Sequence, residues 1–299
     1  MLSVLIPVYN CDCFAFASEL QQQATASKID FEIIVMDDCS THQYSGNKKI
    51  ADLPHCKFIE LSQNTGRSKI RNKLAETAKY NHLLFLDCDA RVASGQFINS
   101  YLPFCNESNI VVCGGRIYEK TAPENQKFFF HWKYGSVREA ISANSRKLLK
   151  TAFMSNNFLV SRDVYEKIQF DETITQYGHE DTLFGIELEQ KNIPIIHIDN
   201  ALYHTGLETA DVYIAKNRKS MENLVVIAKK TDAALLSKHV KVARIALKIK
   251  QIRLIKLFSF GFDILHKIIE YNLKSKRPSL FLFDVYKLCY FCKIYSAKN

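Results

Sequence analysis

HLLFLDCDARV, residues 82–92, is the segment that decides the fold. It begins with a continuous apolar run, which is typical of a strand buried on both faces of a sheet. Asp87 and Asp89 follow where the apolar run stops, separated only by Cys88. Because side chains alternate along an extended chain, both carboxylates are expected to point to the same side. The segment therefore predicts a buried strand with two convergent carboxylates at its end.

Similar apolar runs alternate with helix-like segments along the first hundred residues. The predicted strands cover residues 3–8, 31–38, 57–61 and 82–89, and the predicted helices cover 11–27 and 67–80. Further strands are expected within 110–120, 153–168 and 193–206, with a bend at a Gly-Gly pair in the first and a helix beginning at Ser161 in the second. This alternation predicts an α/β fold with a mostly parallel central sheet flanked by helices.

Length and composition indicate a globular protein. The 299 residues are 47% hydrophobic and 24% charged, enough for one large domain or two smaller ones. Nine cysteines, an odd number, occur without paired zinc-finger spacing, which favours free thiols in a reducing compartment. The N-terminus shows no basic segment followed by a cleavage site. These features predict a cytoplasmic protein.

The positive charge is concentrated at the C-terminal end. The net charge is +9, and the chain from Lys229 onward holds 16 basic and 4 acidic residues, which leaves 24 basic and 27 acidic residues before it. In this segment Ile245, Ile249 and Ile252 recur at helical spacing beside lysines and arginines. Two interpretations stay open: an amphipathic surface that lies on an anionic membrane, or helices that pack on the rest of the chain. The segment has no uninterrupted run of 18 apolar residues, so no membrane-spanning helix is predicted. It also contains no known nucleic-acid-binding motif.

The two aspartates also allow two interpretations. Paired aspartates at a strand end are common in turns and helix caps. They are also the oxygen ligands that Mg²⁺ and Mn²⁺ prefer, with substrate phosphates and water completing the coordination. Polar residues follow two other predicted strands, at Tyr9-Asn10 and Asp37-Asp38. Ligands in such sheets bind beyond the carboxyl ends of the strands, so these groups are expected to converge on one crevice.

Five segments in order resemble family 2 glycosyltransferases, which are inverting enzymes of GT-A fold. The resemblance covers about residues 1–210, and Cys39 stands where the family usually has glycine after the paired aspartates. The segments are LSVLIPVYN (2–10), EIIVMDDCS (32–40), NTGRSKIRN (64–72), FLDCDARV (85–92) and YGHEDTLFGIEL (177–188).

The resemblance implies a UDP-sugar site and a divalent metal, Mn²⁺ or Mg²⁺. The metal would be held by Asp89 and His204, with Asp87 as a ribose or metal contact, and Asp38 would contact the uracil base. The residues that this resemblance assigns to the nucleotide-sugar site are Pro7, Val8, Tyr9, Asn10, Asp38, Gly66, Arg71, Asp87, Cys88, Gly115 and Asn157.

Glu180 and Asp181 precede a predicted amphipathic helix. Sugar transfer needs a general base for the acceptor hydroxyl and positive charge near the departing diphosphate. The positive end of a helix favours an ionised carboxylate, although acids at a helix start often serve the helix dipole alone. By resemblance, Asp181 is the base and Glu180 a substrate contact.

These features together predict a GT-A catalytic domain over residues 1–225 and a basic helical tail over 226–299. The catalytic domain would have a nucleotide-binding half, 1–110, and an acceptor half, 111–225. The expected reaction moves a sugar from a UDP-sugar to a glycan or lipid-linked glycan in surface polysaccharide synthesis, at the inner face of the cell membrane. The alternatives are a nucleotidyltransferase, which would usually carry an early glycine-rich phosphate loop, and an inactive sugar-nucleotide-binding or membrane scaffold protein.

Overall fold

The computed structural model describes residues 1–149, 153–174 and 177–297. Its strands form two sheets of seven and three strands. The strands are β1 (Leu2–Val8), β2 (Phe31–Asp37), β3 (Cys56–Glu60), β4 (His82–Leu86), β5 (Ala90–Val92), β6 (Val111–Cys113), β7 (Arg116–Ile117), β8 (Asn157–Ser161), β9 (Ile195–His197) and β10 (Leu202–His204).

The larger sheet has the order β3-β2-β1-β4-β8-β6-β9. All its neighbouring pairs are parallel except the two that β8 makes with β4 and β6, which are antiparallel. The smaller sheet has the order β5-β10-β7, with β5 antiparallel to β10. The mostly parallel α/β fold that the sequence predicts is confirmed.

The helices alternate with the strands and then run without strands to the C-terminal end. Two of the helices pack on the seven-stranded sheet: α1 on β2, and α3 on β1 and β2. The helices are α1 (Phe14–Ala26), α2 (Ser45–Lys48), α3 (Arg67–Thr77), α4 (Phe129–Tyr134), α5 (Ala143–Leu149), α6 (Arg162–Tyr165), α7 (Glu180–Gln190), α8 (Ala210–Lys230), α9 (Ala233–His239), α10 (Lys241–Gln251), α11 (Ile255–Leu273) and α12 (Leu280–Ala297). Short 3-10 turns occupy Lys49–Asp52, Leu102–Phe104 and Gln126–Phe128, and a π-helical turn occupies Gly135–Glu139.

Local sequence explains most of these boundaries. β1, β2 and β4 are apolar runs, and each is buried along nearly its whole length. The predicted strand over 110–120 is two short strands, because Gly115 has a φ of +88° and turns the chain between them. Ser161 does precede α6, but its hydroxyl accepts the backbone N–H of Ile110 and makes no capping hydrogen bond to the helix.

The chain forms two compact units. The first comprises Met1–Tyr118, Glu139–Thr175 and Glu187–Gly206, and it contains both sheets. The second comprises Glu119–Arg138, Gln176–Ile186 and Leu207–Asn299. The boundary near residue 225 that the sequence suggests stays a prediction.

The C-terminal segment is helical, as the sequence predicts, and has an aromatic core. Phe130, Tyr213, Phe283 and Tyr286 are buried in one cluster with residues of α11. The predicted apolar stripe of α10 is not a free face, because Ile249 is buried and Ile245 is half-buried. Only Ile252, just past the helix end, is exposed, at 64%. Of the two interpretations that the sequence leaves open, the stripe of α10 therefore follows the one in which the helix packs within the protein.

Candidate active site

The carboxyl ends of β1, β2 and β4 lie side by side in the first unit. The parallel register places Val8 opposite Asp37 and Leu5 opposite Phe85. The polar residues that follow these strands therefore leave the sheet at one edge, which is where parallel sheets bind ligands.

The chain after β1 is tied to the chain after β2. Asn10 has a φ of +51°, and its backbone N–H donates to Ser40 Oγ at 2.8 Å. Its side-chain Oδ1 accepts the N–H of His42 at 2.8 Å. Val8 is 1% exposed and belongs to the core, whereas Tyr9 is 48% exposed. Of the residues predicted for the nucleotide pocket in this segment, Tyr9 and Asn10 are exposed and Pro7 is half-buried. Asn10 also braces the loop.

Asp38 shapes the loop that begins α3. Its carboxylate accepts the N–H and hydroxyl of Thr65, at 2.7 and 2.8 Å, and the N–H of Gly66 at 2.9 Å. Gly66 has a φ of +83°, a conformation that favours glycine. The predicted pair Asp38 and Gly66 thus forms one local structure, which positions the first turn of α3.

Asp87 lies at the end of β4 between two arginines. Arg71, from α3, donates from Nη2 to Asp87 Oδ1 at 2.8 Å, and its side chain is 2% exposed. Arg116 Nη2 lies 3.7 Å from the other carboxylate oxygen. Oδ1 is therefore held by a charge-assisted hydrogen bond, and Oδ2 has a second cation nearby.

Arg116, which follows the predicted Gly115, also lies at the site. Its Nη1 donates to Glu139 Oε2 at 3.0 Å, and the Tyr118 hydroxyl donates to the same oxygen at 2.5 Å. Burial would lower the pKa of Arg116, but Glu139, Tyr118, Asp87 and Asp89 together hold it well above its usual range. The only signal in the sequence is the position of Arg116 after two glycines.

Asp89 faces a histidine from β10. His204 Nδ1 lies 3.5 Å from Asp89 Oδ1. Burial would raise the pKa of Asp89, but the hydrogen bond and charge of His204, with Arg116 and Arg67, hold it well below its usual range. A Cβ on Gly206 would lie 2.4 Å from Asp89 Oδ2, so the glycine leaves room for this carboxylate.

A small cavity of about 10 Å³ lies against these groups, with the volume of about one water molecule. Asn156 lines it, and its Oδ1 is buried with no hydrogen-bond partner in the described parts of the chain. The lining residues are Asp87, Asp89, Ala90, Arg116, Asn156, Leu202, Tyr203 and His204.

Two predicted binding residues serve as braces. Asn157 is fully buried, and its amide donates to the carbonyls of Gly115 and Asn200, at 3.0 and 2.8 Å, and accepts from the hydroxyl of Tyr101 at 2.6 Å. A Cβ on Gly115 would lie 2.3 Å from the guanidinium of Arg146. These contacts leave Asn157 no surface for a ligand, so the neighbouring Asn156 is the amide at the cavity.

Cys88, between the two aspartates, is half-buried and packs against the hydrophobic core. A hydrogen bond with Cys11 and burial raise the pKa of its thiol well above the usual range. A thiol that stays protonated is a poor metal ligand. Cys88 therefore acts as a small apolar side chain.

The arrangement suits a divalent cation shared with a substrate. In the described parts of the chain, no three or more His, Cys, Asp or Glu side chains form a closed metal site. Asp87 does not complete one, because Arg71 and Arg116 hold its carboxylate. Asp89, His204 and the unpartnered Asn156 oxygen nevertheless line one cavity. Two protein ligands with open positions fit the preference of Mg²⁺ and Mn²⁺ for phosphate and water ligands.

Glu180 and Asp181 begin α7 in the second unit. Glu180 is buried, and its Oε2 accepts the N–H of Gly178 at 3.1 Å. Asp181 is half-buried, and its Oδ1 accepts the N–H of Thr182 at 2.7 Å. Gly178 has a φ of +98°, and a Cβ there would lie 2.5 Å from Ser220 Oγ. Both carboxylates thus lie at the positive end of a helix, on a loop that α8 holds closely.

The sequence is similar to a polymerase and a synthase among curated proteins. It is 30% identical over 185 residues to a teichoic acid poly(glycerol phosphate) polymerase of Staphylococcus epidermidis, covering 59% of this chain and 24% of that protein. It is 24% identical over 237 residues to a chondroitin synthase of Escherichia coli, covering 68% and 34%. The chain spans less than two thirds of the length of these curated relatives.

The fold is similar to that of solved GT-A glycosyltransferases. The structure of S. aureus TarS 1–349 matches with a TM-score of 0.52 and 18% identity, over 99% of this chain and 91% of that one. A mannosyltransferase of Pyrobaculum calidifontis, solved with GDP-Man and Mn²⁺, matches with a TM-score of 0.54 and 12% identity, over 100% and 86%.

These likenesses establish the GT-A fold, and the family follows from the sequence. The family model described as glycosyl transferase family 2 matches residues 3–169, more than half of the 299 residues. The match includes the ends of β1, β2 and β4 and the cluster around Asp87 and Asp89. The chain therefore belongs to glycosyl transferase family 2.

Proposed function

We propose that this protein transfers a sugar, with inversion, from a UDP-sugar to a hydroxyl of a glycan or lipid-linked glycan. The observation that carries the proposal is the cavity where Asp89, His204, Arg116 and Asn156 meet at the end of β4. The cavity has room for a single cation or water, and it is lined by the acidic Asp87 and Asp89 and the basic Arg116. A diphosphate would therefore lie at its mouth and complete the coordination of the cation. The cavity's acidic and basic groups are fixed before substrate binds, as electrostatic stabilisation of a leaving group requires.

The donor proposal draws on the relatives. S. aureus TarS has been solved with UDP-GlcNAc, at 18% identity to this chain. The GalNAc-T7 structure contains UDP, GalNAc and Mn²⁺, at 17% identity. The mannosyltransferase contains GDP-Man instead. A UDP-sugar is the proposed donor, and GDP-mannose is the competitor that a test must include.

In the proposed mechanism Asp89 and His204 would hold a divalent cation. When bound, this ion supplies positive charge to the departing diphosphate. Arg71 and Arg116 pair with Asp87 and orient its carboxylate at the same edge. Asp181 accepts the proton of the acceptor hydroxyl while that oxygen bonds to the anomeric carbon, and the bond from this carbon to the diphosphate breaks. Glu180 contacts a substrate hydroxyl.

The proposed cellular role is assembly of a surface polysaccharide at the cytoplasmic face of the membrane. The named polymerase and synthase relatives support this role. The basic C-terminal helices, residues 226–299, would attach the catalytic region, residues 1–225, to an anionic membrane. Among the described residues, no helix is long and apolar enough to cross a membrane.

Donor binding is tested by thermal shift with UDP-GlcNAc, UDP-glucose, UDP-galactose and GDP-mannose, with and without Mn²⁺. A UDP-sugar at 100 times its Kd should stabilise the fold by about 2.7 kcal/mol. Asp89→Asn should abolish the part of this shift that depends on Mn²⁺. The control Asp30→Asn changes an exposed aspartate at the opposite edge of the sheet and should keep the shift. Stronger stabilisation by GDP-mannose would contradict the donor assignment.

Catalysis is tested by UDP release with poly(glycerol phosphate) and chondroitin oligosaccharides as acceptors. Asp181→Asn should lower transfer about 10²- to 10⁴-fold, as loss of a general base does, while the donor-induced thermal shift persists. Asp211→Asn is the matched control, since Asp211 also lies in the first turn of a helix and is exposed. Equal activity of the two variants would show that Asp181 serves only the helix dipole. Binding of the donor with no transfer by the unmodified chain would favour a binding protein.

A further inference from the structure

Exposed apolar side chains are concentrated in one short part of the second unit. In the described parts of the chain, fifteen large hydrophobic side chains are exposed, and nine of them lie between Ile252 and Phe281. Scattered exposed apolar residues are normal on a protein surface, but a contiguous group of this kind marks an interaction site.

Most of these side chains form one stripe along α11. The stripe consists of Leu257, Phe260, Ile264, Ile268 and Tyr271, which are 60%, 61%, 55%, 67% and 81% exposed. Spacings of three and four residues place all five on one face of the helix.

The opposite face of α11 is already used. Phe262, Ile269 and Leu273 are buried in the aromatic cluster of the second unit. α11 is therefore apolar on two faces, and packing within the protein buries only one of them. Ile252 and Leu254 extend the exposed stripe at one end, and Phe281 lies beyond the other.

The stripe has a basic border. Lys256 and Lys267 are exposed and, at 100° per residue, lie along one edge of it. Asp263 and Glu270 lie farther round on the same side, and each already pairs with a cation, Lys293 and Arg218 respectively. The acidic side chains near the stripe are thus neutralised within the protein, which leaves the border positive.

Further cations lie at both ends of the helix. Arg253 precedes it, and Lys276 and Arg277 follow it, all three exposed. An apolar strip with a cationic border is the pattern of a helix that lies in a membrane interface. The 19 residues of α11 span about 28 Å, so the stripe can rest along a flat surface.

We infer that the α11 stripe rests on a lipid bilayer with anionic headgroups, with the helix axis parallel to the membrane plane. The apolar side chains enter the headgroup boundary, and the lysines remain beside the lipid phosphates. A second copy of the chain fits less well, because pairing two stripes would bring two basic borders together. This inference rests on the proposed membrane attachment and assigns it to one surface.

The test is flotation of the full chain with vesicles of phosphatidylcholine alone or with about 30% phosphatidylglycerol. Phe260→Ser/Ile268→Ser should lower partition onto the anionic vesicles at least tenfold, because two large apolar side chains no longer enter the lipid. Val137→Ser/Val212→Ser is the matched control, since both valines are exposed in the same unit and neither belongs to α11. The control should float like the unmodified chain.

A second pair of variants tests the border. Lys256→Gln/Lys267→Gln should lower partition onto anionic vesicles about tenfold and leave the weak binding to neutral vesicles unchanged. Lys49→Gln/Lys191→Gln, two exposed lysines in the first unit, should have no effect. Circular dichroism melts of all four variants check that each is folded.

The outcomes separate the inference from the proposals it rests on. If the unmodified chain does not float, the proposed membrane attachment fails and this inference with it, whereas sugar transfer to a soluble acceptor is unaffected. If the stripe variant and its control float equally, attachment uses another surface and the inference is wrong. If sedimentation shows a dimer that the stripe variant converts to a monomer, a second copy covers the stripe, which also overturns the inference.

Discussion

The carboxylate cluster at the end of β4 and the exposed stripe of α11 are stabilised in opposite ways. In the cluster each charge has a specific partner, such as Arg71 at 2.8 Å from Asp87. In the stripe the apolar side chains are exposed to water, and among the described residues no specific charged partner fixes their positions. The fold therefore needs individual groups in the cluster, whereas the stripe contributes to the fold only through the buried face of its helix.

The largest effect on stability is expected at the buried arginine of the cluster. Arg71→Met should lower the free energy of unfolding by about 3 kcal/mol, because it leaves a carboxylate without its closest counter-charge. Urea unfolding measures this loss. Arg91→Met is the control, since Arg91 is exposed and should cost less than about 1 kcal/mol.

The double variant Arg71→Met/Asp87→Asn sharpens this result. Removing both charges should restore part of the loss, because no uncompensated charge remains. If Arg71→Met cost no more than Arg91→Met, the cluster would be as tolerant as the stripe, and the contrast between the two regions would fail.

An intermediate effect is expected from a buried histidine in the first unit. Burial, together with Arg146 and Lys147, lowers the pKa of His197 to about 4. Below about pH 6.5 the unfolded chain takes up a proton that the folded chain refuses, so stability is lost as the pH falls from about 6.5 towards 4. At pH 5 this group should cost about 2 kcal/mol relative to pH 7.5.

His197→Gln should reduce that acid loss by about 2 kcal/mol when urea unfolding is compared at pH 7.5 and 5. The exposed His42 supplies the control, and His42→Gln should leave the pH dependence unchanged. An unaltered acid loss in His197→Gln would assign the dependence to other groups.

The smallest effect is expected in the stripe. Ile268→Ser should change the free energy of unfolding by no more than about 0.5 kcal/mol, because the side chain is 67% exposed. The adjacent Ile269→Ser should cost about 3 kcal/mol, since Ile269 is 5% exposed in the aromatic cluster. Equal losses for these neighbours, measured by thermal and urea unfolding, would show that the two faces of α11 are not distinct.

Much of the fold could be predicted, because its strands are local apolar runs. Both ends of β1, β2 and β3 lie within one residue of the predicted ends, and β4 begins at the predicted residue. The antiparallel direction of β8 could not be predicted from the sequence, since the direction of a strand depends on segments far away in the chain. For the same reason the sequence left open whether the apolar stripe of α10 is covered, and in the structure it packs inward.

The candidate site shows the same division. The sequence singled out Asp87 and Asp89, but the pairing of Asp87 with Arg116 and the role of Glu139 came from chain folding. The sequence assigned Asn157 to the binding site, but the structure buries it, and the adjacent Asn156 lines the cavity. Adjacent residues of an extended chain point to opposite sides, and the sequence does not say which side is buried.

By itself the sequence determined the order of strands and helices, the position of the carboxylates at a strand end and the basic character of the C-terminal helices. These properties depend on composition and period, which act over a few residues. Only the tertiary structure decided that Arg116 pairs with both Asp87 and Glu139, and that α11 rather than α10 exposes an apolar face. Such contacts are made between segments distant in the chain, and a helical period cannot specify which of two faces will be covered.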